Sequence, residues 1–149
     1  MKVNTMHDLQ DLFEAEPQET DYRKVRHILN TRTTAPTTAK QEKQLARMMP
    51  EKIRRDFYAY LEALQARSNA YFSKGFPNIA GDQIGFEVGR KFVKVTRVYG
   101  ETQKSVVVFV EGATGTVWKA AGWSQPTLNF PRGNVQEQSK IGQDGWGHY

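Results

Sequence analysis

Between Thr114 and Val135 the segment TGTVWKAAGWSQPTLNFPRGNV sets Trp118, Trp123 and Phe130 among Lys119, Arg132, glycines and prolines. Flat aromatic faces beside positive charge suit a surface that stacks nucleobases and neutralises phosphates. The same composition also suits an ordinary aromatic mini-core. The two readings differ in which way the rings point, and that depends on the strands around them.

Residue types that do covalent or metal chemistry are thinly spread. His7, His27 and His148 are scattered, and the pair His7–Asp11 at helical spacing lacks a third ligand. Asp82 and Glu87 suggest a metal nuclease, but no Glu-x-Lys follows at the needed place. The run GATGTVWK, Gly112–Lys119, looks like a phosphate loop yet has no Gly-Lys-Ser/Thr, and it joins two strand-like runs. It is expected to be a hairpin turn. The sequence argues against an enzyme, and it calls for no metal and no cofactor.

The strands begin near Gln83. Ile84–Val88, Lys91–Tyr99, Lys104–Glu111 and Thr116–Ala121 are β-branched and aromatic, and the glycines at 89, 100, 112 and 115 mark turns of an antiparallel meander. If Glu111 pairs with Thr116, Phe109 lies beside Trp118, while Val106, Val108 and Val110 point to the other face. One arrangement buries the valines against helices and presents Phe92, Lys94, Phe109 and Trp118 as a stacking platform. The other buries the aromatics and exposes the valines with Lys119. In both, Trp123, Phe130 and Arg132 fall in a loop after the sheet.

The first half of the chain reads as helical. Met6, Leu9, Leu12 and Phe13 share one stripe ahead of Pro17, and Tyr22, Val25, Ile28 and Leu29 share a second. TRTTAPTTAK, residues 31–40, is a linker by composition. Thr38 and Gln41 form a capping box for a third helix ending near Met49. Pro50 opens a fourth, with Ile53, Phe57, Tyr60, Leu61 and Leu64 at helical spacing. Lys52, Arg54 and Arg55 crowd its amino end, where the helix dipole disfavours cations and a phosphate would relieve the conflict. Beyond Pro131 the chain turns polar and rich in Gly and Gln, and reads as a flexible tail ending in Trp146, His148 and Tyr149.

Bulk properties agree with one soluble domain. The 149 residues suffice to bury roughly two thirds of the unfolded surface. No cysteine is present, which excludes disulfides and Cys-based zinc sites and fits a reducing cytoplasm. No apolar run is long enough for a signal peptide or a membrane span. The net charge of +5 is unevenly placed: residues 1–20 carry one Lys against five acids, residues 21–74 twelve Lys and Arg against five, and residues 75–149 eight against six. A basic middle behind an acidic lead points to a polyanion or to a solvated helix face.

Gly115, Val117, Trp118, Lys119, Trp123, Pro126, Arg132, Gly133, Asn134 and Val135 resemble a short pattern in small proteins of tailed bacteriophages. Ser124 and Gln125 depart from it, standing where Lys-Ala is commoner. With its size, charge and helical lead, the chain resembles the single-stranded-DNA-binding transcription cofactors of Schitoviridae-type podoviruses. That resemblance implies a protein of the infected host's cytoplasm that coats single-stranded DNA and recruits the phage-encoded RNA polymerase; self-association on DNA is a separate expected partner interaction.

The expected architecture is α+β: amino-terminal helices packed on a twisted antiparallel β-sheet, with a flexible carboxyl-terminal tail. A single domain covers 1–131, helical over about 5–73 and sheet over about 83–131, and the tail covers 132–149. Lys91, Lys94, Arg97, Lys104, Lys119 and Arg132 are the expected phosphate contacts, with Arg54 and Arg55 extending the track onto the helices. Tyr99, Phe109, Trp118 and Trp123 are the expected stacking residues. The alternative function is a structural or adaptor phage protein that binds a protein partner, such as a virion component or a host-factor inhibitor.

Overall fold

The computed structural model describes residues 32–79, 81–99 and 103–142. The two expected leading helices, His7, Asp11, His27 and the terminal aromatics lie outside the described residues. Helix α1 spans Ala39–Met48 and α2 spans Glu51–Gly75. Five strands follow: β1 Gln83–Val88, β2 Phe92–Tyr99, β3 Gln103–Glu111, β4 Thr116–Ala120 and β5 Pro126–Asn134. They form one antiparallel sheet in the order β1-β2-β3-β4-β5, an α+β arrangement.

Local chemistry explains the helix limits. Gln41 N–H donates to Thr38 Oγ1 at 3.1 Å and Thr38 N–H donates to Gln41 Oε1 at 3.0 Å, so two otherwise orphaned donors at the start of α1 are satisfied. Met49 leaves the helix in extended backbone, as a residue before proline tends to, and Pro50 starts α2. Along α2, Phe57, Tyr60, Leu61, Leu64, Gln65 and Ser68 are buried at three- and four-residue intervals, which turns one stripe onto the sheet.

That stripe meets Ile84, Phe86, Val93, Val95, Val108, Val110 and Val117, with Leu45 of α1 and Met49 just after it in the same core. Each such side chain contributes roughly 1.5–3 kcal/mol relative to exposure. Burial also pushes the Tyr60 hydroxyl well above its ordinary pKa of 10.0. Glycine is required where backbones crowd. At Gly115, φ is +76°, and a Cβ would meet Ile53, Asn134 and Val135 at 3.0–3.1 Å.

Three sequence expectations change. Val95 pairs with Val108 but Thr96 pairs with Val106, so β3 carries one extra residue at Val107. This bulge reverses the alternation, and Val106, expected beside Val108 and Val110, sits across from Thr96 on the opposite face. The loop expected after β4 contains a fifth strand instead. Two prolines hid it, and an edge strand tolerates them because it need not donate outward. Residues 132–142, expected as part of the tail, are instead packed: β5 runs to Asn134, and Val135 and Ile141 are fully or nearly fully buried in the core. Two apolar residues in a polar run gave no period to read.

The first edge of the sheet is closed by side chains. Gln65 accepts from Ile84 N–H at 2.9 Å and donates to the Asp82 carbonyl at 2.8 Å, and Gln41 donates to the Phe86 carbonyl at 3.0 Å. The 32–37 segment adds a bond from Ala35 N–H to the Ile84 carbonyl at 2.8 Å. Asn69 holds that segment, accepting from Arg32 N–H and donating to its carbonyl. Among the described residues, no helix is long and apolar enough to cross a membrane.

Candidate nucleic-acid interface

With the valines committed to α2, alternation sends Phe92, Lys94, Phe109 and Trp118 to the outer face of the sheet. Phe109 and Trp118 are direct cross-strand partners, as the sequence suggested. Phe92 stands edge-on to Phe109, with ring centroids 6.4 Å apart and planes at 86°. Lys94 Nζ lies 3.9 Å from the ring centroid of Trp123, which reaches back from the β4–β5 loop. Lys91 Nζ lies 5.6 Å from the Phe92 ring. Trp118 Nε1–H donates to Glu111 Oε1 at 3.3 Å, so its polar edge is satisfied.

The face is not the open platform that simple alternation suggests. Phe109 is 4% exposed, whereas Trp123 is 46% exposed. The β4–β5 loop folds over the sheet and leaves a cleft of about 400 Å³ against the β1–β2 hairpin. Phe92 and Phe109 contribute aromatic wall, Ser124 and Pro126 come from the loop, and Arg90, Lys91 and Lys94 bring positive charge. Phe109 is thus a supporting ring, and Trp123 is the accessible one.

The other expected contacts disperse. Arg97 is 3% exposed and forms a buried ion pair with Asp82, which corrects its reading as a phosphate contact. Parity explains it: Arg97 shares the inward side of β2 with Val93 and Val95, where a cation needs a buried partner. Lys104 is exposed and paired with Glu87. Lys119 is exposed but aligns with Val108 and Val117, on the helix-facing side away from Trp118. Tyr99 is 45% exposed at the far end of β2, and by alternation it also belongs to that side.

Arg54 and Arg55 stand on α2, across the sheet from Lys94; Arg54 Nη1 donates to the Met49 carbonyl at 3.4 Å. Arg132 is half-buried on β5. Lys91, Lys94, Phe109, Trp118 and Trp123 are therefore gathered, with Lys104 bordering them through Glu87. The sequence reading missed Arg90, Ser124 and Pro126 as part of this surface. Arg90 alone was accessible to it, as the cation next to Lys91 in a glycine turn.

No curated protein and no solved structure matches the chain. A family model does, over residues 29–143, nearly the same stretch as the packed helices and sheet. The chain belongs to DUF7717, a family of unknown function.

Proposed function

We propose that the protein binds single-stranded DNA on the outer face of its sheet, without strict sequence choice, and serves as a phage transcription cofactor that recruits the phage-encoded RNA polymerase. The observation that carries the binding half is the half-exposed Trp123 ring against Lys94, on the same face of the sheet as the Phe92–Phe109 pair. A base can replace Lys94 against the indole while a phosphate takes the released ammonium, so both partners of the resting contact become ligand contacts. Duplex DNA hides its base faces and offers no such exchange. The recruitment half, and the host cytoplasm as its setting, rest on the resemblance of the Gly115–Val135 segment to the podovirus cofactors.

A gel shift with a labelled single strand and its duplex, at two salt concentrations, tests the reading. The single strand is expected to bind more tightly, with a log–log salt slope of roughly −2 to −4 for three to six phosphates. Equal affinity for the duplex rules out base stacking. One observation favours the adaptor reading: Leu128 and Phe130 on β5 are 57% and 76% exposed, apolar area that a protein partner would cover. If Phe130→Ser abolishes capture of the polymerase while leaving single-strand affinity intact, the adaptor role resides on that edge.

A further inference from the structure

The cleft between the β1–β2 hairpin and the β4–β5 loop holds one group that a simple phosphate track would not contain. Glu87 lines it together with Arg90, Lys91 and Lys94. On β1 it sits directly across from Lys94, and its carboxylate is paired with Lys104. Phosphates are repelled by that carboxylate and drawn to the exposed Arg90 and Lys91 at the turn. The aromatic walls and Pro126 favour the base. A strand crossing here therefore keeps its backbone at the hairpin and points a base inward toward Glu87.

We infer that this cleft accepts a single base and that Glu87 makes it prefer bases carrying an exocyclic amino group. The inference rests on the single-strand reading above and adds to it a graded base preference. About 400 Å³ is at the small end of ligand cavities and has room for one nucleoside-sized group. A carboxylate only accepts hydrogen bonds. Cytosine offers the N4 amino donor that carboxylate side chains recognise. Uracil and thymine place a carbonyl oxygen there, which meets the carboxylate acceptor to acceptor. The ion pair with Lys104 occupies one side of the carboxylate and holds it in place, leaving further lone pairs for the base.

The test is fluorescence anisotropy with oligo-dC and oligo-dU of equal length at neutral pH, a pair that differs at the position Glu87 reads without the thymine methyl group. The wild-type protein is expected to favour oligo-dC about fivefold, the value of one ordinary hydrogen bond. Glu87→Gln supplies both a donor and an acceptor, so the ratio should fall to about one. Ser124→Trp, a change at an exposed loop position, should fill the cleft and also bring the ratio to about one. A wild-type ratio near one, or a ratio that survives either substitution, overturns the inference while leaving single-strand binding standing. Failure to bind either oligonucleotide overturns the single-strand reading and this inference with it.

Discussion

The two faces of the sheet share their strands but follow opposite rules. On β2, Val93, Val95 and Arg97 turn inward, while Phe92 and Lys94 turn outward. Where the helices cover it the inner face is dry, and a charge buried there needs a counterpart; Arg97 has Asp82. On the outer face Lys94 instead rests on the half-exposed Trp123 ring. Lys94 and Arg97 stand three positions apart. Strand parity makes one a structural cation and the other a cation that a ligand can take.

The largest expected effect comes from the inner face. Arg97→Met should destabilise the fold by roughly 3–5 kcal/mol, since it strands the Asp82 carboxylate in the interior. Urea unfolding measures it, and the double change Arg97→Met with Asp82→Leu should recover most of the loss. Intact stability combined with a weaker salt dependence of DNA binding would erase the distinction between the faces.

Gln65→Leu comes next, at roughly 2–4 kcal/mol, because two groups at the start of β1, the Ile84 N–H and the carbonyl of the preceding Asp82, lose their partner together. Amide exchange should speed up at Ile84 before it does on β3. Exchange that stays slow there would mean the edge is closed by packing rather than by the glutamine.

On the outer face the readout shifts from stability to binding. Trp123→Ala is expected to weaken single-strand affinity by roughly 1–3 kcal/mol. The melting temperature should move little, since the lost contact with Lys94 is worth about 0.5–1 kcal/mol. A large drop in melting temperature would turn Trp123 into part of the core. The smallest and sharpest comparison is between two lysines. Lys94→Gln should reduce the magnitude of the salt slope by about 0.7, one phosphate contact, whereas Lys119→Gln, on the opposite side of the sheet, should leave it unchanged. Equal effects from the two would mean that the strand wraps the sheet edge.

Most of the scaffold was readable from local pattern. The Thr38–Gln41 capping box, Pro50 ahead of α2, the α2 stripe and the first four strands each follow from chemistry within a few residues. The Phe109–Trp118 pairing was readable too, because a turn with glycine at a positive φ sets its register. The fifth strand was not. Pro126 and Pro131 argue against a strand unless the position is known to be an edge, and edge position is a property of the assembled sheet.

The candidate site divides in the same way. Composition and spacing alone established an α+β chain with cations and aromatic rings concentrated around a meander, because residue type and period act through neighbours in sequence. Whether a given cation faces solvent came from elsewhere. The bulge at Val107, the commitment of the valines to α2, the Asp82 partner of Arg97 and the loop that carries Trp123 back to Lys94 all join residues distant in sequence. A one-residue bulge, or a few more residues in a connecting loop, costs little in local energy. Packing against the helices selected among those arrangements, and no local signal records that choice.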